Sequence, residues 1–181
     1  SSVIMKKNYK EILHQIKAFV FDMDGVLTNG QFQISKDGHP IRNLNSKDGY
    51  ALQLAIKKGY IVAIISGGHC EGVKSILQGL GLTDIYMRAS YKLDAWQDLL
   101  AVYEHQNLKE ENMLFMGDDI PDYPLIERAG LGCAPNNAVP EIRTVADYVS
   151  PFKGGETCVR DVIEQTLKVQ NNWMLEEDFS W

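Results

Sequence analysis

Apolar and polar positions along the chain follow two alternating periods. Short apolar runs at Ile16–Phe21, Tyr60–Ile65 and Asn112–Met116 are typical of buried strands. Between these runs, apolar side chains recur at helical spacing, as in Lys47–Lys58 and Glu71–Leu80. Strands that alternate with helices predict an α/β fold, in which helices cover both faces of a parallel sheet.

The remaining predicted elements continue the same alternation. They are a short strand at Asp84–Tyr86, a helix through Leu93, Trp96, Leu100 and Tyr103, a helix at Pro124–Ala129, a strand at Gly130–Ala134 and a helix at Val159–Val169. Gly59 is the predicted C-cap glycine of the first long helix. The pattern contains no repeat and no domain boundary, so we expect one domain, residues 1–181.

Two segments depart from this alternation. Residues 28–45 contain Asn-Gly and Asp-Gly turn signals beside a short alternating run, which predicts a β-hairpin inserted after the first strand. The hairpin is too short to be a separate cap domain. The tail, residues 171–181, carries two tryptophans and a phenylalanine, whereas a free tail normally avoids large apolar groups. We therefore expect the tail to dock, either on its own chain or on a neighbouring subunit.

Composition narrows the class of protein. The chain has 181 residues, 45% of them hydrophobic and 23% charged, which is typical of a globular domain. A net charge of −6 disfavours nucleic acid as the main partner. No apolar run is long enough to span a bilayer, and the first fifteen residues contain no signal-peptide pattern. Three widely spaced cysteines predict no disulfide framework, which fits a cytoplasmic protein.

The first predicted strand ends in two carboxylates. Asp22 and Asp24 are separated by one residue and are followed by Gly25. Two acids held this close together repel each other unless a cation lies between them or one of them keeps its proton. One interpretation is a metal-assisted site. The other is a turn in which the aspartates accept hydrogen bonds from backbone N–H groups.

Further polar groups follow the ends of the later strands. In chain order they are Ser66, Gly67 and Gly68, then Lys92, then Asp118, Asp119 and Asp122. In an open parallel sheet, ligands bind beyond the carboxyl ends of the strands. The acids, the hydroxyl group and the lysine are therefore expected to meet at one edge of the sheet.

This set of groups suits hydrolysis of a phosphate monoester, whose charge must be neutralised during the reaction. Magnesium prefers oxygen ligands, and the predicted ones are Asp22, Asp118 and the backbone carbonyl of Asp24. Asp24 is also the predicted acid for the leaving oxygen and base for water.

The phosphate itself needs its own donors. Ser66 and the N–H of Gly67 are predicted to hold phosphate oxygens, and Lys92 to neutralise both the phosphate and the nucleophile.

These motifs resemble those of the haloacid dehalogenase superfamily of phosphohydrolases. The matching pieces are Asp22–Gly25, Ser66, Lys92 and residues 117–122, in the same order and spacing. The resemblance implies a Rossmann-like fold, Mg²⁺ and an aspartyl-phosphate intermediate formed on Asp22. It also implies that Asp118 is a metal ligand supported by Asp119 or Asp122.

A narrower resemblance concerns the capless subgroup that includes the 3-deoxy-D-manno-octulosonate 8-phosphate phosphatases. The hairpin, residues 47–50, the stretch Gly154–Glu156 and the aromatic tail are similar to that subgroup. The resemblance implies a phosphorylated sugar acid as substrate, a role in making lipopolysaccharide precursors, and a homotetramer in which one subunit's hairpin closes the next subunit's site. Asp48 lies within the matching stretch and is a candidate for substrate binding.

One departure from the subgroup affects substrate recognition. Many relatives carry a basic residue in the loop after Ser66, where this chain has Gly68 and His69. We expect Gly68 to line the site. We expect Arg42, Arg88, Arg160 or a residue of a neighbouring subunit to contact the substrate carboxylate instead.

Two alternatives remain open. A nine-carbon sugar acid 9-phosphate is the second candidate substrate, although relatives of that type tend to carry glutamate at the position of Gly68. A phosphate-accepting signalling receiver uses similar residues, but its acceptor aspartate comes after an acidic pair, and here the order of Asp22, Ser66, Lys92 and Asp118 favours a hydrolase.

Overall fold

The computed structural model describes residues 8–181 and contains a six-stranded parallel sheet and a separate two-stranded hairpin. Residues 1–7, which belong to the N-terminal segment without a signal-peptide pattern, lie outside the described range. The strands are β1 (Ala18–Phe21), β2 (Gln33–Ile34), β3 (Pro40–Ile41), β4 (Ile61–Ile65), β5 (Asp84–Tyr86), β6 (Met113–Met116), β7 (Leu131–Ala134) and β8 (Tyr148–Val149). The main sheet has the order β5-β4-β1-β6-β7-β8, so β1 lies between β4 and β6.

The helices cover both faces of the sheet, as the sequence pattern predicts. They are α1 (Tyr9–Ile12), α2 (Ser46–Lys57), α3 (Glu71–Gly79), α4 (Lys92–Val102), α5 (Tyr123–Arg128), α6 (Pro140–Val145) and α7 (Cys158–Val169). Successive strand residues point to opposite faces. Phe19 and Phe21 of β1 therefore join the core beneath α2, α3 and α7, while Ala18 and Val20 join the core beneath α4, α5 and α6. No helix in residues 8–181 is long and apolar enough to cross a membrane.

The sequence pattern predicts β1 and β4–β7 and the helices α2, α3, α4, α5 and α7 to within a few residues at each end. It misses α1, α6 and β8. Helix α6 has six residues and starts at a proline, and β8 has two residues. Elements of this length carry too few residues to show a hydrophobic period.

Both unusual segments fold as structured elements. In the hairpin, Gln33 is paired with Ile41 in an antiparallel ladder. The tail docks on its own chain, where the Lys58 ammonium contacts the Asp178 carboxylate at 2.8 Å. The ring of Trp181 stands edge-on to that of Tyr50, with centroids 5.4 Å apart. Of the two expected docking sites for the tail, this structure shows the one on the same chain.

Helices α2 and α7 are joined by a buried carboxylate. Asp48 in α2 is 1% exposed, and its Oδ1 accepts a hydrogen bond of 2.9 Å from the backbone N–H of Arg160 in the first turn of α7. Its Oδ2 has no hydrogen-bond partner in the part of the chain that the structure describes. Burial raises the pKa of Asp48 to about 6, and the backbone donors of Arg160 and Thr157 only partly oppose that shift.

This shift predicts a pH dependence of stability. Between about pH 4 and pH 6 the native state keeps the Asp48 proton while the unfolded chain releases its own, so the free energy of unfolding falls as pH rises. The fall is at most about 3 kcal/mol. Asp48→Asn removes it, because the amide does not titrate while its oxygen still accepts from Arg160.

Urea unfolding at pH 4, 5, 6 and 7 measures the effect, with Asp94→Asn on the exposed surface of α4 as the control. The difference in stability between Asp48→Asn and wild type should grow with pH across this window, whereas that for Asp94→Asn should stay constant. Parallel pH curves for wild type and Asp48→Asn would contradict the assignment.

Candidate active site

The central strand β1 delivers Asp22 to the carboxyl edge of the sheet. Its side chain accepts a hydrogen bond of 2.8 Å from the backbone N–H of Met23 through Oδ1, and the residue is 6% exposed. Gly25 then turns the chain with a φ of +87°, a conformation that side chains with a Cβ rarely adopt. The turn keeps the backbone close to Asp118, because a Cβ on Gly25 would lie 1.8 Å from the Asp118 Oδ2.

Lys92 links two of the acids. It is the first residue of α4, is 6% exposed, and places its Nζ 2.9 Å from Asp22 Oδ1 and 2.6 Å from Asp122 Oδ1. Burial acts to lower the pKa of Lys92, but the neighbouring Asp22 and Asp122 carboxylates raise it overall. Lys92 therefore remains a fixed positive charge between them.

The loop after β6 carries the second acidic group. Asp122 is buried, and its Oδ2 accepts hydrogen bonds from the backbone N–H groups of Asp118 at 2.9 Å and Asp119 at 3.2 Å. Gly117 permits this arrangement, since a Cβ there would lie 2.4 Å from the Asp122 side chain. Asp122 therefore fixes the loop that presents Asp118 to the cavity.

Asp22, Asp118 and Asp122 form a cluster that fits a divalent cation. Each offers a carboxylate oxygen, and these oxygens lie within 4.8 Å of one another. Oxygens on opposite sides of an octahedral Mg²⁺ ion are about 4 Å apart, so only small adjustments are needed to bind one. The pKa values reflect the crowding: burial, together with repulsion from Asp122, raises the pKa of Asp22 well above its usual range.

The pKa of Asp118 is raised as well. Burial raises it to about 6, a hydrogen bond with Asp22 opposes the shift, and repulsion from Asp122 and Asp119 adds to it. A bound cation would favour the ionised carboxylates and reverse this effect. The predicted meeting of Asp22 and Asp118 is thus present in the structure.

Asp24 is held apart from this cluster by the hairpin. Arg42, which follows β3, donates from Nε to Asp24 Oδ1 at 2.9 Å and from Nη2 to Oδ2 at 3.0 Å. The Thr28 hydroxyl also donates to Oδ1, at 3.1 Å. The Asp24 side chain therefore pairs with an arginine, and its backbone carbonyl remains the predicted metal ligand.

These groups surround a cavity of about 340 Å³ at the carboxyl edge of the sheet. It is lined by Asp22, Asp24, Gly30, Ser66, Gly67, Gly68, Ala89, Ser90, Lys92, Asp118, Asp119, Pro121 and Asp122. Within residues 8–181, the lining therefore contains five aspartates and one lysine. Such a cavity repels a phosphate dianion until a cation neutralises part of its charge.

The structure brings the phosphate-binding candidates to this cavity. Ser66 is buried, and its Oγ accepts a hydrogen bond of 3.1 Å from the backbone N–H of Gly68. Gly67 is exposed beside it. Helix α3 begins only at Glu71, so the glycine loop, rather than the first turn of that helix, faces the cavity.

Four candidates lie outside the lining, namely Arg42, whose pairing with Asp24 is described above, and Asp48, Arg88 and Arg160. Asp48 is buried between α2 and α7, where its Oδ1 accepts a hydrogen bond from the backbone N–H of Arg160, so the structure does not bring it to this cavity. Arg88 is exposed at the rim, where its backbone N–H binds the Gly68 carbonyl. Arg160 packs against the ring of Trp173 on the tail.

Comparison with known proteins agrees with the geometry. The haloacid dehalogenase-like hydrolase family matches residues 84–154. The 3-deoxy-D-manno-octulosonate 8-phosphate phosphatase KdsC of Escherichia coli K12 is 36% identical over 155 residues, which cover 86% of this chain and 81% of that protein.

Solved structures give the same result. The 3-deoxy-D-manno-octulosonate 8-phosphate phosphatase of Yersinia pestis superimposes with a TM-score of 0.86 at 28% identity, over 95% of each chain. That of Moraxella catarrhalis, in complex with a magnesium ion, a phosphate ion and a KDO molecule, gives a TM-score of 0.83 at 31% identity, over 91% of this chain and 92% of the other.

The chain therefore belongs to the haloacid dehalogenase-like hydrolases. It is a phosphatase of that family and is similar to KdsC. Membership confirms the predicted family and rules out the signalling receiver.

The close approach at Gly25 generates a prediction. In Gly25→Ala the new methyl group collides with the Asp118 carboxylate and displaces it, so we expect at least about a 100-fold loss of phosphatase activity. Gly38→Ala is a matched control. Gly38 has a similar φ of +81° but no atom within 4 Å of its Cβ position, so this variant introduces the same backbone strain without the collision.

Initial rates and thermal unfolding of both variants separate the two effects. Both should lose some stability, while only Gly25→Ala should lose most of its activity. Equal activity in the two variants would show that the contact with Asp118 is unimportant.

Proposed function

We propose that this protein is a Mg²⁺-dependent phosphatase of a phosphorylated sugar acid, specifically 3-deoxy-D-manno-octulosonate 8-phosphate. The observation that carries the proposal is the carboxylate cluster of Asp22, Asp118 and Asp122 beside buried Lys92 at the carboxyl edge of the sheet. The cluster supplies a nucleophile, a cation site and a fixed positive charge in one cavity.

The substrate rests on the relatives. The KdsC proteins that match most of this chain are named for this sugar phosphate, and the Moraxella catarrhalis structure contains the sugar acid, phosphate and magnesium together. Dephosphorylation of that sugar acid phosphate belongs to lipopolysaccharide precursor synthesis, so we place the protein in the cytoplasm. We also propose that residues 1–181 form a single domain.

The first step is phosphoryl transfer to Asp22. Its Oδ1 is fixed by the N–H of Met23 and by Lys92, and this orients the carboxylate for attack on phosphorus. As the Asp22 oxygen bonds to phosphorus, the ester P–O bond breaks, and the leaving oxygen takes a proton from Asp24. Ser66 and the glycine loop contact the phosphate oxygens.

The second step releases phosphate. Asp24, now ionised, removes a proton from a water molecule, whose oxygen attacks the phosphorus of the aspartyl phosphate. The bond between phosphorus and Asp22 breaks, which restores the carboxylate and completes the cycle. Lys92 stays between Asp22 and Asp122 throughout and offsets the charge that develops on the phosphoryl oxygens.

Asp22, Asp118 and the backbone carbonyl of Asp24 would hold Mg²⁺, with Asp122 fixing the loop that carries Asp118. When bound, the ion supplies positive charge to the phosphate and lowers the repulsion between nucleophile and substrate. Burial raises the pKa of both Asp22 and Asp118, and a cation held between them would favour their ionised forms.

We also propose a homotetramer in which the hairpin of one subunit closes the site of the next. Three large apolar side chains of the hairpin are exposed, namely Phe32, Ile34 and Ile41. Exposed apolar groups this close together are typical of an interface. Sedimentation equilibrium measures the assembly, and a monomer at micromolar concentration would contradict it.

The proposed reaction predicts the effect of changing the nucleophile. Asp22→Asn should reduce kcat by at least about 10⁴-fold, because an amide is a poor nucleophile and forms no mixed anhydride. Phosphate release is measured with Mg²⁺ across a panel of eight- and nine-carbon sugar acid phosphates and simple sugar phosphates. Asp94→Asn, an exposed change on α4, is the control and should retain wild-type rates.

We expect wild type to prefer the eight-carbon acid. If the enzyme prefers the nine-carbon acid, the proposed substrate is wrong but the proposed phosphoryl-transfer mechanism stands. Sustained turnover by Asp22→Asn would contradict the mechanism.

A further inference from the structure

The salt bridge between Arg42 and Asp24 occupies the group that must act as the acid. Nε of Arg42 binds Oδ1 of Asp24, Nη2 binds Oδ2, and the Thr28 hydroxyl adds a third donor on Oδ1. Both carboxylate oxygens are therefore acceptors in this structure. A general acid needs one of those oxygens to carry a proton and to reach the leaving group. The arrangement seen here is consequently a resting one.

Arg42 has capacity for another anion. Its side chain is 6% exposed and lies beneath the ring of Phe32, with the guanidinium carbon 4.6 Å from the ring centroid. Its Nη1 is buried and has no hydrogen-bond partner among the described residues. A buried guanidinium donor without a partner is costly, so a further acceptor would stabilise this position.

The guanidinium reaches the cavity wall beside Gly68. The Cβ of any other residue at position 68 would lie 3.3 Å from Arg42 Nη2 and 3.3 Å from Asp24 Oδ2. Gly68 and Asp24 both line the cavity. A side chain at position 68 would therefore crowd the ion pair, which lies at the edge of the cavity that Asp24 and Gly68 line.

We propose that the carboxylate of the substrate takes Arg42 from Asp24 and thereby frees Asp24 to act as the general acid. This inference rests on the proposed function, since it requires a phosphorylated substrate with a second anionic group. Arg42 is then both the residue that recognises the substrate carboxylate and the residue that keeps Asp24 inactive without it.

The exchange is chemically balanced. One carboxylate replaces another on the same planar donor, so a bidentate pair is broken and a bidentate pair forms. Asp24, once released, takes up a proton from the solvent and passes it to the leaving oxygen as the ester bond breaks. The proton that Asp24 later gains from the attacking water returns to the solvent when Asp24 pairs with Arg42 again, so protons balance over the cycle. The phosphate of a sugar without a carboxylate offers no replacement for Asp24, so Arg42 stays paired with Asp24. The enzyme would therefore select its substrate through the rate of the chemical step as well as through binding.

Substrate pairs that differ in the carboxylate test the proposal. Phosphate release is followed with Mg²⁺ for sugar acid phosphates and matched carboxylate-free sugar phosphates, including 6-phosphogluconate with glucose 6-phosphate. Wild type should prefer the carboxylated members by at least about 10-fold in kcat. In Arg42→Met, Asp24 is free with both kinds of substrate, so kcat should rise severalfold on carboxylate-free members and change little on carboxylated ones. KM for the carboxylated members should rise about 10-fold or more, because their carboxylate has lost its partner.

Two further variants make the result specific. Arg42→Lys keeps the charge but loses the planar two-donor edge, so it should recover only part of the preference. Arg128→Met removes an arginine at the surface of α5, whose partner is Glu110, and should keep the wild-type preference. Thermal unfolding of each variant checks that the fold is retained.

A higher kcat on carboxylate-free substrates, together with a higher KM on carboxylated ones, distinguishes this role from a structural one. If Arg42→Met lowers kcat equally on both types, or if wild type shows no preference for the carboxylate, the exchange is wrong while the phosphatase function stands. If wild type releases phosphate from no member of either panel, the proposed function fails, and this inference fails with it.

Discussion

Mutual repulsion among carboxylates is the constraint on which the site depends. Five aspartates and one lysine of the described chain line a single cavity, and three of the acids bring oxygens within 4.8 Å of one another. Such a group is unfavourable when buried and ionised. Lys92 offsets part of the charge, but burial, together with repulsion from neighbouring acids, still raises the pKa values of Asp22 and Asp118. A divalent cation removes the conflict and at the same time makes the cavity attractive to phosphate.

The fold produces this conflict by placing each acid where it cannot move away. Asp22 follows the central strand β1 and Asp118 follows the neighbouring strand β6. Lys92 begins α4, which packs against β6 through Trp96 and Phe115. Gly25 and Gly117 let the backbone approach so closely that a single methyl group at either position would displace a carboxylate. The glycines are therefore as necessary to the chemistry as the acids, although they take no part in it.

Most of the architecture could be predicted from the sequence, because buried strands and amphipathic helices leave a period in the apolar residues. The site residues at strand ends could be predicted because a parallel sheet gathers those ends along one edge. Short elements such as α6 and β8 could not, since they are held by contacts with the sheet rather than by their own pattern. The position of Asp48 away from the cavity could not be predicted for a related reason: its burial against α7 depends on packing between segments that are far apart in sequence.

The pairing of Arg42 with Asp24 also lies beyond sequence reasoning. The two residues are joined only because the chain after β3 returns to the turn that follows β1, and the sequence offers several other arginines as candidates. Asp122 is a similar case. Its motif indicates a role near the metal, but only the structure shows that it accepts from the backbone of Asp118 while also holding Lys92. The roles of Arg42 and Asp122 depend on contacts between residues of different segments, which the sequence alone does not give.

The most direct test of the central claim is anomalous diffraction from crystals grown with Mn²⁺ in place of Mg²⁺. The account predicts one strong anomalous peak, within about 2.3 Å of carboxylate oxygens of both Asp22 and Asp118. A cavity without a peak at saturating Mn²⁺, or an ion bound only at other acids, would contradict it.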